Sequence, residues 1–176
     1  MKIVAFGASN SKQSINKQFA TFTANLFDAE DVEIIDLNDF ELPLYGIDRE
    51  KKTGIPETAV AFYDKLQSAD LIIISLAEHN GSYTTVFKNL LDWMSRHNTK
   101  VFSSKKVFLL STSPGGMGGK FVMEAAMTRF PRHGAEVIGQ FSLPSFNDNF
   151  DGETGVKDED LKQRFQKIID EVKRKL

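Results

Sequence analysis

Five short apolar runs, each followed by a segment of helical spacing, constrain the fold of this chain more than any other feature. The runs are Lys2–Phe6 (KIVAF), Asp31–Leu37 (DVEIIDL), Leu71–Leu76 (LIIISL), Lys106–Thr112 (KVFLLST) and Glu136–Leu143 (EVIGQFSL). Their length and their β-branched and aromatic content predict strands. Helices are predicted over Ile15–Phe27, Glu57–Gln67, Ser82–His97, Lys120–His133 and Asp158–Lys175; the first carries Ile15, Phe19, Phe22 and Leu26 at near-helical spacing. Ser14 is placed as an N-cap, Ser82 as the cap of the third helix, and Asp158 at the start of the last helix. Asn38–Pro56, with Pro43, Gly46, Gly54 and Pro56, reads as a long loop. Regular alternation of this kind implies a parallel sheet with helices on both faces. Five strands in one domain, residues 1–176, predict an α/β three-layer sandwich with strand order 2-1-3-4-5. In that order a ligand sits at the C-terminal ends of the first, third and fourth strands.

The composition removes several classes of function. A formal net charge of -2, with scattered Lys and Arg, leaves no basic footprint for nucleic acid. There is no cysteine, so disulfides, thiol catalysis and Cys-based metal sites are excluded. His79, His97 and His133 have no metal-ligand spacing, and no metal is expected. The start, MKIVAFGAS, is too quickly polar for a signal peptide, and no apolar run reaches the roughly 20 residues of a membrane span. A cytoplasmic location is the resulting expectation. The 15 Phe residues read as core filling.

Three loops fall at the three expected strand ends. Gly7–Asn16 offers the hydroxyls of Ser9, Ser11 and Ser14, together with the backbone N–H groups of Ile15 and Asn16 at a helix N-terminus. Such a loop suits a phosphate dianion, or is an ordinary N-cap cluster. It is neither a Walker loop nor a G-x-G-x-x-G fingerprint. The second loop, Ala77, Glu78, His79, Asn80, Gly81 and Ser82, is dense in hydrogen-bonding groups beside a buried strand. Gly81 permits close approach or a positive φ, and His79 can lie along a flat ring or be a surface residue. The third loop, Ser113–Gly119, holds Gly115, Gly116, Gly118 and Gly119. So little side-chain bulk lets a planar ring rest on backbone N–H groups.

Taken together, the three loops resemble the NADPH-dependent FMN reductase family, a flavodoxin-like group containing quinone, azo-dye and chromate reductases. Ala8–Asn16 fits the frame G-S-x-R-x-x-S-x-N. Glu78, Asn80, Gly81, Ser82, Lys88, Asn89, Asp92, Trp93, Ser95 and Arg96 fall in register with P-E-Y-N-G-S-x-x-x-x-L-K-N-x-x-D-W-x-S-R. Ser113–Gly119 matches the family's Ser- and Gly-rich third loop. The chain departs from the family at Ser11 (Arg), Ala77 (Pro) and His79 (Tyr).

The resemblance implies a flavodoxin-like fold and an FMN-dependent NAD(P)H oxidoreductase. FMN would contact Ser9, Ser11, Ser14, Ile15, Asn16, Ala77, Glu78, His79, Asn80, Gly81, Ser113, Gly115 and Gly116. Electrons would pass from NAD(P)H to a small-molecule acceptor of quinone, azo or flavin type. The cofactor carries that chemistry, so no side chain is assigned as catalytic. A flavodoxin-like electron carrier without NAD(P)H turnover is the alternative. The resemblance also implies a homodimer or homotetramer through the third helix. There Val86, Leu90, Trp93 and Met94 form one apolar face, and Lys88–Asp92 and Asp92–Arg96 are i,i+4 pairs.

Overall fold

Side chains alternate across each central strand, and this alternation divides the core in two. The computed structural model describes residues 1–176. In chain order its elements begin with β1 (Lys2–Ala8), α1 (Ile15–Ala24), β2 (Asp31–Ile35), a 3-10 turn (Leu37–Phe40), α2 (Ile47–Thr53), α3 (Glu57–Ser68) and β3 (Leu71–Leu76). Next come β4 (Glu78–His79), β5 (Ser82–Tyr83), α4 (Thr85–His97), β6 (Lys106–Thr112), α5 (Lys120–Arg129) and a second 3-10 turn (Phe130–His133). The chain ends with β7 (Glu136–Leu143), α6 (Phe146–Asn149), β8 (Phe150–Asp151), β9 (Gly155–Val156) and α7 (Glu159–Lys175).

The sheet runs β2-β1-β3-β6-β7 with every pair parallel. Counted among the five sheet strands alone, this is the expected order 2-1-3-4-5. Val4, Phe6, Ile72, Ile74, Leu76, Val107 and Leu109 point to one face, where they pack with residues of α3, α4 and α5. Ile3, Ala5, Leu71, Ile73, Phe108 and Leu110 point to the other, against α1 and α7. Strands covered on both faces must be apolar at every position, and all six residues of β3 are buried. The Phe residues fill this core: only Phe22, Phe40 and Phe121 are not fully buried, and only Phe121 is exposed, at 50%. Gly7 lets α1 lie tightly on β1, since a Cβ there would come within 2.3 Å of the Lys17 backbone nitrogen.

Several local expectations change. The stretch between β2 and α3 is not one loop, because it holds the first 3-10 turn and α2. No residue of α2 is buried, so its sequence carries no apolar period to read. Helix α4 begins at Thr85 rather than Ser82, and its cap is Thr84, whose hydroxyl accepts from Phe87 N. Helix α1 stops at Ala24 and α5 at Arg129. Ser14 is a cap as expected, accepting from Lys17 N; Asp158, expected to start the last helix, is its cap and accepts from Leu161 N. At the opposite, N-terminal edge of the sheet, Met1 and Leu176 line one recess together with Asp70 and Lys106.

Candidate functional site

The three loops meet at the C-terminal edge of the sheet because side chains tie them to one another. Asn16, in the first turn of α1, is 3% exposed. Its Oδ1 accepts from Ser75 Oγ at 2.7 Å and Thr112 N at 3.2 Å, while its Nδ2 donates to Thr112 O at 3.1 Å. One amide thus joins α1 to the ends of β3 and β6. Thr84, the α4 cap, donates to Ala8 O at 2.8 Å and so ties the second loop to the end of β1. Glu78 Oε2 accepts from Val122 N at 2.9 Å, in the first turn of α5. Gly119, at the N-cap of α5, has no side chain to do this. Glu78 therefore caps α5 from the second loop and links it to the third.

Within the first loop, Ser11 N donates to Ser9 Oγ and Ser14 N to Ser11 O, which turns the chain into the helix. Ser14 Oγ accepts from Lys17 N, so its hydroxyl hydrogen remains available to an anion. The N–H groups of Ile15 and Asn16 belong to the first turn and have no intrahelical acceptor. The second loop is a hairpin: Glu78 pairs with Tyr83 and His79 with Ser82. Asn80 (φ 50) and Gly81 (φ 73) make its two-residue turn, both left-handed. That is the Asn-Gly turn whose twist suits two antiparallel strands.

In the third loop the four glycines serve different purposes. Gly118 and Gly119 have positive φ, and a Cβ on either would meet neighbouring atoms at 2.9 Å. The fold itself requires them. Gly115 and Gly116 have no such need: a Cβ on Gly116 would meet nothing within 4 Å, and one on Gly115 only Ser113 Oγ at 4.0 Å. Their bareness leaves an open shelf of backbone beside the hairpin. Ser145 N donates to Gly115 O and Phe146 N to Ser113 O, holding the shelf from below.

A cleft of about 770 Å³ opens on the β2 side of the hairpin. It reaches the first loop at Asn10 and the second at His79, and its far wall is the 37–44 segment. It does not reach the third loop. Beneath the hairpin, the Tyr83 hydroxyl is buried with no hydrogen-bond partner. Burial pushes this phenol up to about 12, against the opposing charge of Arg129. It therefore stays protonated throughout the working range and is no acid–base group.

A profile of the NADPH-dependent FMN reductase family matches residues 1–148. The chain belongs to that family. It is 34% identical over 120 residues to a 2-hydroxy-1,4-benzoquinone reductase of a Burkholderia species, a stretch covering 67% of this chain and 63% of that one. It is 30% identical over 142 residues to an NADPH:quinone oxidoreductase of Arabidopsis thaliana, covering 78% and 70%. Among solved structures, the flavoenzyme NAD(P)H:(acceptor) oxidoreductase FerB of Paracoccus denitrificans superposes with a TM-score of 0.73 at 22% identity. That superposition covers 99% of this chain and 98% of FerB, and it shares the flavodoxin-like fold.

In this member of the family the expected contact residues fall into two groups. Ser9, Ser11, His79, Asn80, Gly81, Gly115 and Gly116 present exposed or part-exposed groups along the edge. Ser14, Asn16 and Ala77 are buried, and the side chains of Asn16 and Glu78 are committed to the frame. Sequence reading missed Met117 and Phe121. They are exposed at 53% and 50%; Met117 lies within the third loop and Phe121 just after it, and Phe121 Cβ lies 4.0 Å from the place of a Cβ on Gly81. A lone large aromatic in the first turn of an otherwise weakly amphipathic helix was the available signal. In the third helix, Trp93 is fully buried and its indole N–H donates to Pro43 O at 2.7 Å. Arg96 pairs with Glu50 of the same chain at 3.0 Å. Both residues, expected at a subunit seam, are thus engaged within the chain.

Proposed function

We propose that this chain is an FMN-dependent NAD(P)H oxidoreductase acting on quinone-type acceptors. The observation that carries the reading is the shelf at Gly115 and Gly116, two glycines the fold does not need, set beside a helix N-terminus with free donors. The overall conversion is NAD(P)H + H⁺ + quinone → NAD(P)⁺ + hydroquinone. Bound FMN supplies the two-electron relay between donor and acceptor.

The protein's share is binding and orientation. The Ile15 and Asn16 N–H groups, with the hydroxyls of Ser9, Ser11 and Ser14, would hold the FMN phosphate, favoured by the α1 dipole. Ala77, Glu78, His79, Asn80 and Gly81 would border one side of the ring. Ser113, Gly115 and Gly116 would meet the other, with backbone N–H groups aimed at charge that develops on reduction. Nearby side chains form no nucleophile–base pair, in keeping with a reaction carried by the cofactor. We further infer one flavin per chain, a single domain, a cytoplasmic setting and a homodimer or homotetramer. No helix is long and apolar enough to cross a membrane.

The test is reconstitution. Apo-protein titrated with FMN and with FAD should quench flavin fluorescence more tightly for FMN. NADPH should then bleach the bound flavin, and a quinone should restore its colour. Equal or tighter FAD binding would overturn the cofactor reading. Flavin binding without bleaching by NADPH or NADH would make the protein a carrier.

A further inference from the structure

We propose that the large cleft beside His79 is the acceptor's pocket and that Glu41 makes it select uncharged rings over anionic ones. This rests on the oxidoreductase reading above. The cleft touches the proposed flavin site at Asn10 and His79, the end at which a reducible ring would have to lie. Its walls mix apolar side chains, Leu37, Phe40, Leu42 and Val86 among them, with uncharged polar ones. Several polar groups on these walls already have partners within the chain. Asn89 Oδ1 accepts from Tyr45 N, and its Nδ2 donates to Leu42 O and Pro43 O. Thr84 donates to Ala8 O.

Lys and Arg are absent from the lining, and Glu41 is its one carboxylate. Among the basic side chains of the surrounding elements, Lys17 is held by Asp36, Lys88 by Asp92 and Arg96 by Glu50, while Arg49, Lys51 and Lys52 of α2 are exposed and line no part of the cleft. Lys12 faces a separate recess on the outer side of α1. A cleft whose one charged side chain is a carboxylate repels ligands of that sign. An uncharged quinone loses nothing there. A sulfonated ring meets repulsion that salt can screen.

The experiment pairs 1,4-naphthoquinone with 1,4-naphthoquinone-2-sulfonate at pH 8. On the flavin-loaded enzyme, the ratio of kcat/KM values, neutral over anionic, is measured at low and high salt. The same ratio is measured in Glu41→Gln and Glu41→Lys. It should fall about three- to tenfold in Glu41→Lys, less in Glu41→Gln, and toward the Glu41→Lys value on adding salt to wild type. Comparing one ratio across variants cancels the intrinsic reactivities of the two quinones.

A second readout needs no flavin. The single tryptophan, Trp93, donates to Pro43 O, and Pro43 lines the cleft. Quenching of its fluorescence in the apo-protein should be tighter for the neutral ring, and Glu41→Lys should narrow the gap. Ratios unmoved by salt and by substitution, or no quenching by either ring, would overturn the proposal. Charge-dependent quenching in a protein that neither binds FMN nor turns over would instead keep the cleft and discard the oxidoreductase reading.

Discussion

Ser14 carries two loads, and its replacement should separate them. Its hydroxyl oxygen caps α1, and its hydroxyl hydrogen is free for phosphate. Ser14→Ala should cost about 1 kcal/mol of stability, the usual scale for a lost cap, and about 1 kcal/mol of FMN affinity. Urea unfolding of the apo-protein and flavin titration read the two separately. Ser11→Arg should tighten FMN through a charge-assisted contact. An unchanged dissociation constant and salt dependence would move the phosphate elsewhere. Asn16 is different in kind. Asn16→Ala removes the partner of the buried Ser75 hydroxyl and of the Thr112 backbone N–H and C=O, so the protein should lose about 2–4 kcal/mol of stability whether or not flavin is present. Its type and position were legible in the sequence. Its role was not, because partners at Ser75 and Thr112 are 59 and 96 residues away.

The third loop and the hairpin make their predictions as elements. Gly116→Ala should leave the thermal midpoint of the apo-protein nearly unchanged and weaken flavin binding, since the new methyl meets only space the ring would occupy. Gly118→Ala should destabilise the apo-protein by more than 1 kcal/mol, because its methyl meets the backbone at Leu143 and its φ is positive. Equal effects of the two substitutions on apo stability would show that the shelf is ordinary structure. The central strands were readable because both faces are covered and their runs are nearly all apolar, and the edge strands β2 and β7 because branched and aromatic residues recur between their polar ones. The hairpin β4–β5 was missed although Asn80-Gly81 announces it; two-residue strands are too short for a period. The cap Glu78 gives to α5 left no local trace, since donor and acceptor lie 44 residues apart. Helix α2, with no buried face, could be inferred only from Gly46 before it and Gly54 after it.

Over the whole molecule, ion pairs and apolar exposure set how it responds to pH and to its own concentration. The Lys65 ammonium beside Glu33, joined by Lys2 and opposed by burial, holds the Glu33 carboxyl below its ordinary range. Lys17 does the same for Asp36, with help from Asn38. Carboxyls depressed in the folded state stabilise it above their unfolded pKa values, and that stabilisation fades as pH falls through the folded ones. Stability should therefore decline from about pH 4.5 downward. Glu33→Gln should be less stable than wild type at pH 7 and approach it in acid, as read by urea midpoints across pH. For assembly, Trp93 is inside the chain and Arg96 is held by Glu50. An interface on this side would instead use Ile47, exposed at 49% on the outside of α2. Ile47→Glu should shift wild-type dimers toward monomers in sedimentation velocity, more than Arg96→Ala does. A wild-type monomer at micromolar concentration, flavin-loaded and active, would remove the oligomer altogether.

The recess that holds Met1 and Leu176 together lies at the sheet edge opposite the three loops. Both ends of the chain therefore leave from the side away from the chemistry. A tether from either end to an electrode or a bead would turn the flavin edge outward, toward solution. Two copies joined end to end by a short linker would keep both clefts open. Attachment at either terminus therefore gives the same orientation on a surface, with no face redesigned.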